Sequence, residues 1–188
     1  MIRNLAADVE AFTSNAFLVA GLVDAGANFD VVPRVEERVD DLDAVVLTHT
    51  HPDHVGNVDD IRAAFDVETW GFDPDRPAVD NAIPDGGSVD MGLGTYEALH
   101  TPGHKDDHLC LYDAAAGVLF AGDLVFRDGG FGRTDLEEGD RPTLIRSIDR
   151  VADRADGDLA ELHVGHGPSV LESAFDHVEL AGRTARTR

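Results

Sequence analysis

The chain has 188 residues, 43% hydrophobic and 28% charged, a balance that excludes a disordered segment and suffices for one domain with a substantial core. Its 37 acidic residues outnumber 15 lysines and arginines, for a formal net charge of −22. No nucleic-acid partner is expected of such a surface. No apolar run approaches the ~20 residues of a membrane span, so no membrane partner is expected either.

The acids are dispersed along the chain, and Lys105 is the only lysine. In dilute buffer such a surface repels itself, whereas in ~1 M salt the Debye length shrinks to ~3 Å and the repulsion is screened. A halophilic protein is the expectation. The start, Met1 to Asp8, has an acid at position 8 and no apolar stretch, so no signal peptide is read there. The single cysteine, Cys110, lies in the apolar stretch His108 to Tyr112 and reads as a buried thiol without a disulfide partner. These features together predict a cytoplasmic location.

In chain order, Asn15 to Val19 and Gly21 to Asp24 read as a strand hairpin, and Asp24 to Asn28 as a loop. Pro33 to Val39 reads as a short helix with proline in its first turn. Asp43 to Thr48 is a short apolar run typical of a strand buried on both faces. His49 to Gly56 is expected to be loop, and Asn57 to cap a helix through Phe65. Val67 to Phe72 is a further strand, Ser88 to Leu99 holds one or two, and Leu109 to Tyr112 with Val118 to Ala121 form another hairpin. Leu144, Ile145, Ile148 and Val151 recur at helical spacing within a helix from Asp140 to Ala155. Leu159 to Val164 is a last strand. Ser169 to Ala181 is a last helix, with Ser169 and Glu172 as its capping box. Alternating strands and helices predict a layered α/β protein. A single domain is expected over residues 1–182, with residues 183–188 as a frayed basic tail.

The chemistry is concentrated in His49-Thr50-His51-Pro52-Asp53-His54. Histidine nitrogen and carboxylate oxygen are the usual ligands of borderline metals. In an extended loop His49 and His51 point the same way and can share one ion. Asp53 and His54, after a proline-directed bend, can face a second. Further candidates stand at other predicted strand ends, each beside a glycine: His104 in Thr101-Pro102-Gly103-His104, Asp123 in Ala121-Gly122-Asp123, and His166 in Gly165-His166-Gly167-Pro168. Loops at one edge of a sheet are the common place for a site in an α/β fold.

The set His49, His51, Asp53, His54, His104, Asp123 and His166 resembles the seven-ligand pattern of the metallo-β-lactamase superfamily, over about Asn15 to Pro168. The resemblance implies an αβ/βα four-layer sandwich holding two divalent metal ions, with zinc expected and iron or manganese as alternatives. It further implies that His49, His51 and His104 bind one ion, that Asp53, His54 and His166 bind the other, and that Asp123 bridges them. A metal-bound hydroxide would be the nucleophile, with Asp53 given a catalytic role.

Thr101 to His104, Gly122 to Phe126 and Gly132 to Asp140 are similar to compact members of the glyoxalase II branch. This implies hydrolysis of a small-molecule thioester of a hydroxyacid, with Arg133 and Asp135 either shaping the pocket or holding their own loop together. Many relatives have a small hydroxyl residue where Lys105 stands. The chain also ends before the position of the glutathione-binding helical domain of two-domain glyoxalase II enzymes, so the thiol carrier stays open. The alternative is an iron-dependent persulfide dioxygenase using mainly His49, His104 and Asp123. His108 is read as solvent-facing, His100 and His163 as structural, His177 as a surface residue, and Trp70 as core or pocket wall. The oligomeric state is not legible.

Overall fold

A computed structural model describes residues 1–187. One sheet has strands in the order β1 (Arg3–Asn4), β2 (Phe17–Leu18), β3 (Leu22–Val23), β4 (Val45–Val46), β5 (Thr69–Gly71) and β6 (Asn81–Ala82). The other runs β11 (Glu161–Val164), β10 (Val118–Gly122), β9 (Leu109–Asp113), β8 (Gly94–His100) and β7 (Ser88–Met91).

Period-two alternation along these strands builds the layers. Phe17, Val23, Val46, Leu109, Leu111 and Phe120 point inward and pack between the sheets. Their neighbours Leu18, Leu22 and Val45 face the opposite way, with Val31, Val35, Val58 and Ile61 of the first outer layer. Cys110, Leu119 and Ala121 face Leu144, Ile148, Val151, Val178 and Ala181 on the other side. The helices supplying these outer layers are α1 (Val31–Glu36) and α3 (Val58–Phe65), and α4 (Arg141–Ala155) and α5 (Ala174–Thr187). The molecule is thus the four-layer αβ/βα sandwich. Strands buried on both faces explain the continuous apolar runs in the sequence.

The structure departs from the sequence reading in several places. Helix α1 begins at Val31, two residues before Pro33; proline is tolerated there because first-turn N–H groups lack helical partners anyway. Within the expected loop, Pro52–Val55 form a single helical turn, α2. Asn57 precedes α3, but its amide donates to Ala25 O at 3.1 Å instead of capping. Ser169 is not a helix cap. Val170 exchanges two backbone hydrogen bonds with Leu162 of β11, so this segment runs as an extended neighbour of the strand, and α5 starts only at Ala174.

Residues 183–187 are not a frayed tail either; they form the last turns of α5. Ala185 is buried against the α4 layer. The Arg186 guanidinium holds Asp149 at 2.5 Å, and Arg141 Nε donates to Ala185 O at 2.9 Å. Among the described residues, no helix is long and apolar enough to cross a membrane.

Candidate metal centre

The C-terminal ends of β4, β8, β10 and β11 meet at one edge of the sandwich. Leu109 N donates to Thr48 O at 2.6 Å and ties the two sheets together there. Beyond β4, His51 is extended (φ −67, ψ 146) and Pro52 opens α2, so Asp53 and His54 leave the loop in a different direction from His49 and His51. At the end of β10 the pairing with β11 slips between Phe120 and Gly122, and this irregularity delivers Asp123 to the edge.

All seven expected ligands converge. His49 Nε2 and His104 Nε2 each lie 3.0 Å from His51 Nδ1. Asp53 Oδ2 lies 3.1 Å from His166 Nε2 and 3.9 Å from His54 Nε2. Asp123 stands between the two groups, with Oδ1 3.4 Å from His54 Nε2 and Oδ2 3.4 Å from His104 Nε2 and 3.6 Å from His166 Nε2. The donor atoms of His49, His51 and His104 all fall within 4.8 Å of one another, as do those of Asp53, His54 and His166.

This arrangement fits cations. His54 Nε2 and Asp123 Oδ1 are buried without a hydrogen-bond partner, a costly state for polar atoms unless something else satisfies them. The 3.0 Å from His51 Nδ1 to each of the His49 and His104 nitrogens is close to the ~3.3 Å spacing of ligands on a tetrahedral ion at ~2.0 Å. Gly165 is where it is because any larger residue would displace this machinery: a Cβ there would sit 2.0 Å from Asp123 Oδ1.

Groups that the sequence reading missed hold the ligands. Asp24, at the end of β3, accepts from Thr48 N and Thr48 Oγ1 at 2.8 Å each and from His54 Nδ1 at 2.9 Å. That bond leaves His54 Nε2 free for an ion. His108 is not solvent-facing but fully buried; its Nε2 accepts from Asp123 N at 3.0 Å and its Nδ1 is 2.8 Å from Thr101 Oγ1. It thereby fixes the backbone that carries Asp123. His104 Nδ1 donates to the backbone O of Arg133 at 2.9 Å. The Arg133 side chain itself is exposed and paired with Asp135 through two contacts of 2.8 Å.

Charge on these groups follows from burial and proximity. Burial, and then the neighbouring imidazoles of His54 and His108, hold His49 far below the usual imidazole range, so its nitrogens stay free of extra protons. Burial also disfavours charge on His54, but the Asp24 and Asp123 carboxylates outweigh it and push its pKa up to about 10. Burial opposes ionisation of Asp123, yet its contacts with His54 and the charges of His166 and His104 hold it well below the carboxylate range.

Below about pH 10 the metal-free protein therefore carries a proton on His54 that an incoming ion must displace. Zinc binding to metal-free protein at pH 7 is expected to release at least about one proton, from His54 and from His166, whose pKa, against burial, Asp53 and Asp123 raise, and apparent affinity to rise with pH. Calorimetry in two buffers of different ionisation enthalpy reads this directly; identical heats in both would contradict it. An Asp24→Asn chain, in which one amide oxygen replaces the charged oxygen pair that accepts from Thr48 and His54, is expected to bind zinc ~10- to 100-fold more weakly, measured by competition with a chelator. Unchanged affinity would remove Asp24 from this role.

The remaining histidines lie outside the cluster. His100 stacks on Phe72 at 3.7 Å, and His163 is buried between Phe17 and Phe120, both structural as expected. His177 is not a free surface group, since its Nδ1 accepts from Asp128 N at 2.8 Å. Trp70 is half-buried against the layer between the sheets. Cys110 is buried, and burial pushes its thiol up to about 12, which excludes it as a nucleophile at neutral pH.

With the fold and this cluster in place, comparison with known proteins defines the class. The sequence model of the metallo-beta-lactamase superfamily matches residues 10–173, and the chain belongs to that superfamily. It is 33% identical over 169 residues to the hydroxyacylglutathione hydrolase GloC of Haemophilus influenzae, covering 74% of this chain and 79% of that one. It is 35% identical over 135 residues to the hydroxyacylglutathione hydrolase of Hahella chejuensis, covering 70% of this chain but 51% of the relative. Among solved structures, the BLEG-1 B3 metallo-beta-lactamase superposes with a TM-score of 0.77 at 26% identity, covering 96% of this chain and 99% of that one. TTHA1623, solved in a di-iron-bound form, superposes with a TM-score of 0.73 at 28% identity, covering 91% and 93%.

Proposed function

We propose that this chain hydrolyses a thioester of a small hydroxyacid at a centre of two divalent metal ions. The observation that carries the proposal is that Asp53, His54 and His166 form a complete second ligand group sharing Asp123 with the first. A single-iron dioxygenase can carry the same seven residues but needs no filled second group. The relatives named hydroxyacylglutathione hydrolases support the same chemistry.

His49, His51 and His104 would hold one ion, Asp53, His54 and His166 the other, and Asp123 both. The ions, zinc by the expectation from sequence, supply Lewis acidity and lower the pKa of a bound water towards ~7. Asp24 and the Arg133 carbonyl fix the outer nitrogens of His54 and His104, so the inner nitrogens point at the ions without reorganisation. Asp53 stays ionised: burial opposes this, but the bond from His166 and the charge of His54 lower its pKa. It therefore serves as a ligand and not as an acid. In the reaction, hydroxide adds to the thioester carbonyl, the C–S bond breaks, and the thiolate leaves with the electron pair. A thiolate needs little acid help to depart, which suits a site whose ligand carboxylates Asp53 and Asp123 are held in the ionised form. The products are a hydroxyacid and a thiol.

A His166→Ala chain is expected to lose at least ~100-fold in thioester hydrolysis, the upper end of what groups merely orienting ligands cost. The parent chain is expected to consume no oxygen with a low-molecular-weight persulfide. Oxygen uptake with a persulfide, together with inert thioesters, would replace this reading with the dioxygenase.

A further inference from the structure

We infer that the thiol carrier of the substrate is uncharged and is not an acidic peptide such as glutathione. The inference rests on the thioesterase reading above and specifies its substrate. An acidic carrier needs cationic or N–H donors free to meet its carboxylates. Around the first ligand group the cations are already taken. Lys105, directly after His104, is buried and lies 2.6 Å from Glu138, 3.5 Å from Asp107 and 3.8 Å from Asp106. Arg76 lies 2.8 Å from Asp106, 3.1 Å from Asp73, 3.3 Å from Glu138 and 4.0 Å from Asp107.

Two cations thus face four carboxylates, and the cluster as a whole is anionic. It is also tied to the site, because Asp107 accepts from Thr50 Oγ1, between His49 and His51, at 2.5 Å. Arg133 is paired with Asp135 and Arg127 with Asp128 at 3.7 Å. In the molar salt where this acidic chain is expected to work, long-range attraction is erased and recognition of a carboxylate requires direct contact.

The rim beside the second ligand group is apolar. Phe12 is 75% exposed and stacks on His166 with ring centroids 5.8 Å apart, and Phe126 approaches the same ring at 6.3 Å. An exposed aromatic face held against a ligand offers apolar contact to a substrate, and the cation that follows Phe126, Arg127, is paired with Asp128.

The test compares S-lactoyl-N-acetylcysteamine, which is uncharged, with S-lactoylglutathione, on the zinc-loaded full chain in ~2 M KCl, where surface charges are screened. The uncharged thioester is expected to have the higher kcat/KM, by about tenfold, the cost of seating one carrier carboxylate without a partner. Equal or better use of the glutathione thioester would overturn the inference while leaving the thioesterase reading intact. Hydrolysis of neither would overturn both. Asp135→Asn, a change at an exposed position, releases the Arg133 guanidinium. It is expected to raise the ratio of kcat/KM for the glutathione thioester over that for the uncharged one several-fold. An equal effect on both would count against recognition by free cations.

Discussion

An Asp123→Ala chain is expected to remain folded in molar potassium chloride while losing at least ~1000-fold in thioester hydrolysis, the equivalent of ~4 kcal/mol. Asp123 is the one carboxylate whose oxygens face both ligand groups. Its removal takes negative charge from both positions and leaves His54 in a buried site with Asp24 at 2.9 Å and Asp53 at 3.9 Å as its remaining close acids. Its backbone N–H keeps its bond to His108 Nε2, because that contact does not use the side chain. The loss should therefore appear in bound metal and in turnover, not in circular dichroism. Near-normal turnover with two ions bound would contradict the assignment of a shared ligand.

The second large effect concerns salt. The melting temperature is expected to rise by ~10 °C or more from dilute buffer to molar potassium chloride, which for a chain of this size corresponds to roughly 3 kcal/mol. The cause is the net charge of −22, whose self-repulsion weakens as the Debye length falls to ~3 Å. Exposed ion pairs such as Arg154 with Glu97 and Arg150 with Asp85 work in the opposite direction, since salt screens attraction as well. Each is worth ~1 kcal/mol or less, and the 22 excess negative charges outweigh them. A melting temperature that is flat or falls across the series would contradict the halophilic expectation.

The convergence of the candidate ligands was foreshadowed in the sequence because several of them stand where an apolar run stops. His49 follows Val45 to Leu47, Asp123 follows Val118 to Ala121, and His166 follows Leu162 to Val164. The same signal was present at Asp24, directly after Leu22–Val23, but a lone aspartate at a strand end is indistinguishable from a loop breaker until His54, thirty residues away, is brought against it. His108 was misread for a related reason: its burial depends on Thr101 and on the chain turn at Gly122, whose Cβ position lies 2.7 Å from His108 Nε2. Strands β1 and β6 have two residues each, too few to show any periodicity. At the C-terminus, local composition misled in two ways. Ser169 with Glu172 carries a capping pattern that backbone pairing to β11 overrides. The basic residues at the end look solvent-bound but are held by Asp149 and by the core contact of Ala185.

The centre of this account is that turnover needs both ligand groups filled. It is tested most directly by titrating metal-free chain with zinc and following thioester hydrolysis against equivalents added. Activity is expected to climb to a break at two ions per chain. A break at one ion, with full activity and no further gain, would contradict it.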